Sequence, residues 1–236
     1  MRAIQFSNKR VGSTFLQKAI DSHPDIAGID ELFVNMARKP GMRKSGFKPF
    51  LRSGFVSPEV YLNRHVYDNI NNKTHTIFKL MYNQIHYHQG LFDMIKREKI
   101  PMIHLMRKNL VKQVISGLNA ATTEHKSIIV SPKQLMDMVK EADNQNKNWS
   151  KKMNDHIKLT LYYEDIIGAS RMGRTYASNN TIIAVCRFFN ASQYQLFATT
   201  KKKNKSDLRV YLPNYNEIKK YFKNTKYEWM IKDKEK

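Results

Sequence analysis

The sequence predicts an α/β fold, in which a central parallel sheet is covered by helices on both faces. Three observations predict it. Four short apolar runs, at residues 3–6, 76–80, 102–106 and 158–162, have the length and continuity of strands buried on both sides. Each is followed by a segment whose apolar residues recur at helical spacing. A chain of 236 residues, 41% of them hydrophobic, is long enough to bury a core as one domain spanning residues 1–236.

The elements follow in order. Residues 13–22 carry Phe15, Leu16, Ala19 and Ile20 on one helical face. Residues 87–98 carry Leu91, Met94 and Ile95, and residues 110–123 carry Val111, Val114, Ile115 and Leu118. Ser131 is a good N-cap, with Pro132 at the first helical position, for a long helix to about residue 153. Further helices are expected over residues 180–189 and 215–222. Strands alternating with helices give a parallel, three-layer arrangement. Residues 39–58 are basic and rich in glycine and proline, and read as a lid or acceptor loop. Residues 191–213 are polar and lysine-rich, and read as a second long loop.

Composition narrows the function classes. The net charge is +21, from 41 basic and 20 acidic residues, which suits anionic partners. The excess is spread along the chain, mostly as 29 lysines beside 20 asparagines, and no nucleic-acid motif is readable, so no nucleic-acid partner is expected. Cys186 is the one cysteine, which leaves no disulfide framework and no cysteine-based metal site. No apolar run reaches the roughly 20 residues that span a bilayer. The first apolar stretch reads as a strand rather than a signal peptide. The expectation is a soluble, cytoplasmic protein.

Two segments carry candidate chemistry. In "FSNKRVGSTF" a strand passes through Arg10 and Gly12 into a helix beginning near Ser13 and Thr14. A helix N-terminus presents free N–H groups and the positive end of its dipole to an anion. Gly12 lets the backbone approach closely, the hydroxyls add donors, and Arg10 adds a planar cation matched to phosphate or sulfate oxygens. Read more simply, Ser13 only caps a helix. In "HLMRKNLVKQVIS", Arg107 stands at the carboxyl end of a strand, the edge where open α/β sheets bind ligands. Ser116 follows nine residues on, within the next helix. Read more simply, Arg107 is an ion-pair partner and Ser116 packs.

Together, in this order and separation, "RVGST" and "RKNLVKQVIS" resemble the two signatures of the sulfotransferases that use 3′-phosphoadenosine 5′-phosphosulfate, PAPS. "HTIFKLMYNQ", "LTLYYEDI", "VCRFFNAS" and the C-terminal "LPNYNEIKKYFKNTKYEWM" resemble further segments of the carbohydrate-type bacterial branch. "HPDIAGIDE" resembles the tyrosylprotein branch, where a matching His-Pro-Asp precedes a catalytic glutamate. The resemblance covers most of the chain and implies a P-loop-like three-layer sandwich.

It also implies roles. Arg10, Val11, Gly12, Ser13, Thr14 and Phe15 would cradle the 5′-phosphosulfate, with Arg10 steadying charge on the leaving oxygen. Val11 stands where a serine is more usual. Arg107 and Ser116 would hold the 3′-phosphate, joined by a lysine of the run 201–205 such as Lys203. Phe15 and Tyr163 match aromatics that pack on the adenine. Glu31 would take the proton of the acceptor hydroxyl, with neighbouring Asp30 and the histidines His86 and His88 as rival bases. Otherwise Glu31 is a charge at a helix start. Lys79 would be a second cation on the sulfuryl oxygens, or else a surface lysine. Sulfuryl transfer needs no metal, and His86 with His88 alone make a poor metal site.

The product would be adenosine 3′,5′-bisphosphate. The acceptor would be a small-molecule or glycan hydroxyl, foremost on a carbohydrate or glycolipid, with peptide tyrosine second. Lys48, Phe50, Arg52, Tyr61, Arg64 and Tyr67 are the residues offered for it. Two other readings compete. A P-loop kinase of nucleotides or small molecules needs Gly-x-x-x-x-Gly-Lys-Ser/Thr, of which the first Gly and the Lys are missing here. A polyanion-binding protein would need no catalytic carboxylate.

Overall fold

The structure is a computed structural model. It describes residues 1–34, 50, 54, 57–69, 72–88, 90–121, 127–199 and 207–232. They fall into two compact units, Met1–Met106 with Lys152–Thr200, and Arg107–Lys151 with Lys201–Lys236.

The first unit is built on a sheet of five parallel strands among the described residues, in the order β2-β3-β1-β4-β5. These are β1 Arg2–Ser7, β2 Ile26–Ile29, β3 His75–Met81, β4 Met102–Met106 and β5 Ile157–Tyr162. The four expected strands are all present. β1 lies in the middle, buried along nearly its whole length, which is why it reads as a continuous apolar run. On one face Ala3, Ile77, Ile103, Leu105 and Leu161 pack against helix α1 (Ser13–Asp21) and a later helix containing Val185 and Phe189. On the other face Phe6 meets Tyr82 and His104.

Sequence patterning does not foresee β2, because it is short and interrupted by Gly28. That glycine has a packing reason. A Cβ there would lie 2.6 Å from the Gln17 carbonyl oxygen and 2.7 Å from Asp21 Cβ. Two α1 side chains also serve its backbone. Gln17 Nε2 donates to the Gly28 carbonyl at 2.5 Å, and Asp21 Oδ1 accepts from its N–H at 2.9 Å. Helix α1 therefore fixes the edge strand whose end leads into Asp30 and Glu31.

Residues 58–61 form a short helix, α2 (Pro58–Tyr61), capped by Ser57. The helix expected at 87–98 is α4 (Leu91–Arg97), which starts only after Gly90, whose φ of 89° no continuing helix adopts; a separate helix, α3 (Tyr82–Tyr87), precedes it. A short α7 (Tyr163–Ile166) follows β5, and α8 (Asn179–Phe189) starts from a Ser178 cap. A small antiparallel sheet, β6 (Ile167–Arg171), β7 (Arg174–Ala177) and β8 (Phe197–Ala198), was not expected. Its hairpin turns at Met172 and Gly173, both with positive φ, as a two-residue loop between twisted strands requires. β8 lies inside the stretch 191–213, so that stretch is not loop throughout.

The second unit is helical. It holds α5 (Leu110–Ala121), nearly all of α6 (Pro132–Lys152) and α9 (Tyr215–Phe222). Val111, Ile115, Leu135, Val139, Ile218 and Phe222 form its core. Asn109 starts α5 by accepting the Lys112 N–H, and donates to the Met230 carbonyl.

Candidate active site

The site is built where β1 hands the chain to α1. Arg10 and Gly12 both have positive φ, 64° and 80°, so the loop reverses hand twice before the helix begins. Gly12 is the N-cap, and no side chain caps α1. Ser13 is thus not the capping residue. The first helical hydrogen bond runs from the Leu16 N–H to the Gly12 carbonyl, which leaves the preceding N–H groups at the helix start aimed at the loop mouth. A Cβ on Gly12 would lie 2.4 Å from Tyr163 Cδ2. The Tyr163 ring therefore rests on the loop, and glycine is needed there both for its φ and for that contact. From below, buried Gln5 donates to the Ser13 carbonyl at 2.8 Å.

The loop residues face different ways. Arg10 and Thr14 are exposed, whereas Val11 and Phe15 lie in the core and Ser13 is buried. Val11 can offer an anion only its backbone.

Lys79, on β3, is not a surface lysine. Its side chain is 3% exposed and its ammonium reaches three groups: Asp30 Oδ1 at 2.5 Å, Glu31 Oε1 at 3.4 Å and Thr14 Oγ1 at 3.4 Å. Glu31 follows β2 in a segment without helical turns at residues 30–34, so it is not a helix-start charge. Its Oε2 accepts from Gln84 Nε2 at 2.7 Å. Asp30 Oδ1 also accepts the Glu31 N–H at 2.9 Å. The first unit thus joins Thr14, Lys79, Asp30, Glu31 and Gln84 beside the start of α1. Sequence reading named Thr14, Lys79 and Glu31, with Asp30 as a rival, but not Gln84. Its signal was faint: a Gln three residues past the N-cap Met81, the position of a capping box.

Other candidates fall elsewhere. His88 is buried, its Nε2 is 3.2 Å from the Phe33 carbonyl, and its ring lies among Phe33 and Phe50. Burial lowers its basicity against the opposing pull of that carbonyl. It is a core histidine, and the His86 side chain lies outside the described residues. Phe50, Tyr61 and Tyr67 are buried too, Tyr67 beneath the Arg2 guanidinium, so these aromatics build core rather than an acceptor surface. Arg64 is exposed. Lys48, Arg52, most of the expected lid at 39–58, and Lys201 to Lys205 with Lys203 among them lie outside the described residues.

Arg107 and Ser116 belong to the second unit. Arg107 is half-buried directly after β4, and Ser116 is buried on α5 between Gln113 and Asn119, also buried and three residues to either side. Among the described residues no group of three or more His, Cys, Asp or Glu side chains could hold a metal ion, and no helix is long and apolar enough to cross a membrane.

No family model matches the chain, and no curated protein matches it in sequence. In architecture it is similar to the crystal structure of a sulfotransferase from Alicyclobacillus acidocaldarius. That likeness has a TM-score of 0.52 at 13% identity, and covers 93% of this chain and 90% of that one. The central parallel sheet flanked by helices is thus an α/β fold shared with a bacterial sulfotransferase.

Proposed function

We propose that the protein is a sulfotransferase that moves a sulfuryl group from PAPS to an acceptor hydroxyl. The observation that carries this reading is the cluster beside the start of α1. A carboxylate, Glu31, and a buried ammonium, Lys79, stand at the loop whose helix start suits an anion, with Lys79 3.4 Å from Thr14. The shared fold and the two sequence signatures support it.

In this reading the N–H groups and hydroxyls at the start of α1 bind the phosphosulfate oxygens. Glu31 accepts the proton of the attacking hydroxyl, and Arg10 stabilises the negative charge left on the 5′-phosphate when its bond to sulfur breaks. Lys79 holds Glu31 and Thr14 in one frame. Tyr163 is the adenine-packing aromatic. Arg107 and Ser116 take the 3′-phosphate, with Lys203 or a neighbouring lysine of its run. No metal is called for in these roles. The acceptor is proposed to be a carbohydrate or glycolipid hydroxyl, and the excess of 21 positive charges suits an anionic one.

Thermal unfolding with adenosine 3′,5′-bisphosphate, ATP and AMP tests the donor site. A ligand at one hundred times its Kd stabilises by about 2.7 kcal/mol. The bisphosphate is expected to give the largest shift, and Arg107→Ala to reduce it. Equal or larger shifts with ATP would point instead to a kinase-like site. Transfer of labelled sulfate to a glycan panel, with a tyrosine peptide for comparison, then tests the acceptor class.

A further inference from the structure

Two adjacent carboxylates share Lys79, and the surroundings treat them differently. Asp30 holds the lysine more closely, 2.5 Å against 3.4 Å for Glu31, and the same Asp30 oxygen accepts the Glu31 N–H. Glu31 is gripped on its other oxygen by Gln84 Nε2 at 2.7 Å. The orientation of that amide is determined from its far end. The Met81 N–H at the start of α3 donates to Gln84 Oε1 at 2.9 Å, so the NH₂ group must face Glu31. Gln84 is 3% exposed, so this arrangement is held inside the fold.

We propose that Gln84 is a positioning residue that selects Glu31, rather than Asp30, as the group receiving the acceptor proton; this rests on the sulfuryl-transfer reading. Asp30 then serves as the standing counter-ion of Lys79. Before proton transfer the trio carries one positive and two negative charges. Once Glu31 is protonated, the Lys79–Asp30 pair remains balanced, so neither partner is left as an uncompensated charge. The Gln84 donor holds the Glu31 carboxylate in one rotamer until the proton arrives.

Two substitutions test this. Gln84→Glu keeps an acceptor for the Met81 N–H but turns the donor facing Glu31 into a second acceptor. Gln84→Leu removes both bonds at similar volume. Carboxyl carbon-13 NMR follows the titration, with signals assigned by their loss in Glu31→Gln and Asp30→Asn. In Gln84→Glu the Glu31 midpoint is expected to rise by about one pH unit or more, from like-charge coupling, and Asp30 to move less. In Gln84→Leu a smaller rise is expected, from loss of the donor alone.

Hydrolysis of labelled PAPS needs no known acceptor. Water attacks sulfur and gives its proton to Glu31, the bond to the 5′-phosphate breaks, and sulfate and adenosine 3′,5′-bisphosphate leave. The acid limb of its pH–rate profile should move with the Glu31 midpoint, while bisphosphate affinity stays within about twofold, since uniform binding is untouched. A Glu31 midpoint unmoved in both variants overturns the proposal, as does a larger movement at Asp30. If the wild-type protein neither binds the bisphosphate nor releases sulfate, the sulfuryl-transfer reading fails. The NMR midpoints then still decide whether Gln84 holds Glu31.

Discussion

Two ionic clusters, one in each unit, have opposite composition. Beside α1 a single buried lysine, Lys79, sits between two carboxylates, Asp30 and Glu31. In the second unit a single carboxylate, Asp143 on α6, takes Lys147 at 3.0 Å, Lys226 at 2.6 Å and the Tyr227 hydroxyl at 2.8 Å. Both lysines there are 61% exposed, whereas Lys79 is 3% exposed. The surface cluster has cations to spare and ties the C-terminal segment to α6. Around Lys79 the two carboxylates outnumber the lysine, and it is the lysine that is buried, with Asp30 36% and Glu31 17% exposed. Under the proposed function the first cluster is the place for proton transfer, whereas the second serves as a tether.

The contrast can be broken first at the lysines. Lys79→Met leaves two carboxylates facing each other, and is expected to cost about 3 kcal/mol of stability, as breaking buried ion pairs does. Adding Asp30→Asn should restore part of it. Lys226→Met should cost far less, because exposed, solvent-screened pairs contribute little. Thermal or urea unfolding of the three variants measures both.

Acid should separate the two units by window. Burial brings His104, whose Nε2 lies 2.5 Å from the Tyr82 hydroxyl oxygen, down from 6.5 to about 4. The folded state favours the neutral ring, so the unfolded chain takes up the proton first as pH falls. This contribution is whole above pH 6.5 and is lost down to about pH 4, a change of roughly 3 kcal/mol. His104→Gln should flatten urea-unfolding stability across that window.

Partial burial works to raise the Asp143 carboxyl, but bonds from Lys226, Tyr227 and Lys147 outweigh it and bring the group from 3.8 to about 2. Its contribution is therefore present above pH 3.8 and lost only as pH falls towards 2. It should be small, below about 1 kcal/mol, and screened by salt.

Between these in size lies the loop. Gly12→Ala places a side chain at φ 80° and pushes it into the Tyr163 ring. A loss of about 1–2 kcal/mol is expected from the left-handed conformation alone, with weaker adenosine 3′,5′-bisphosphate binding by calorimetry.

The same contrast explains what could be read from sequence. The four central strands were legible because burial on both faces leaves an unbroken apolar run. β2 was not, because Gly28, demanded by the close approach of α1, interrupts a four-residue strand. The hairpin of β6 and β7 is largely exposed and carries no alternation to betray it. In the candidate site, the loop from Arg10 to Phe15 was legible because a strand-to-helix turn is local in sequence, whereas Glu31 was reached only through a family resemblance. Gln84 acts on Glu31 from 53 residues away, and Phe50 and Tyr61 declared themselves as core only through their partners.

The most direct test of the account is transfer of labelled sulfate from PAPS by the wild-type protein and by Glu31→Gln, Asp30→Asn and Gln84→Leu, each first shown to bind adenosine 3′,5′-bisphosphate. The account predicts that the wild type transfers label and that Glu31→Gln loses about 100-fold or more of the rate. Asp30→Asn and Gln84→Leu should lose less. Undiminished transfer by Glu31→Gln, or a deeper loss in Asp30→Asn, would contradict it.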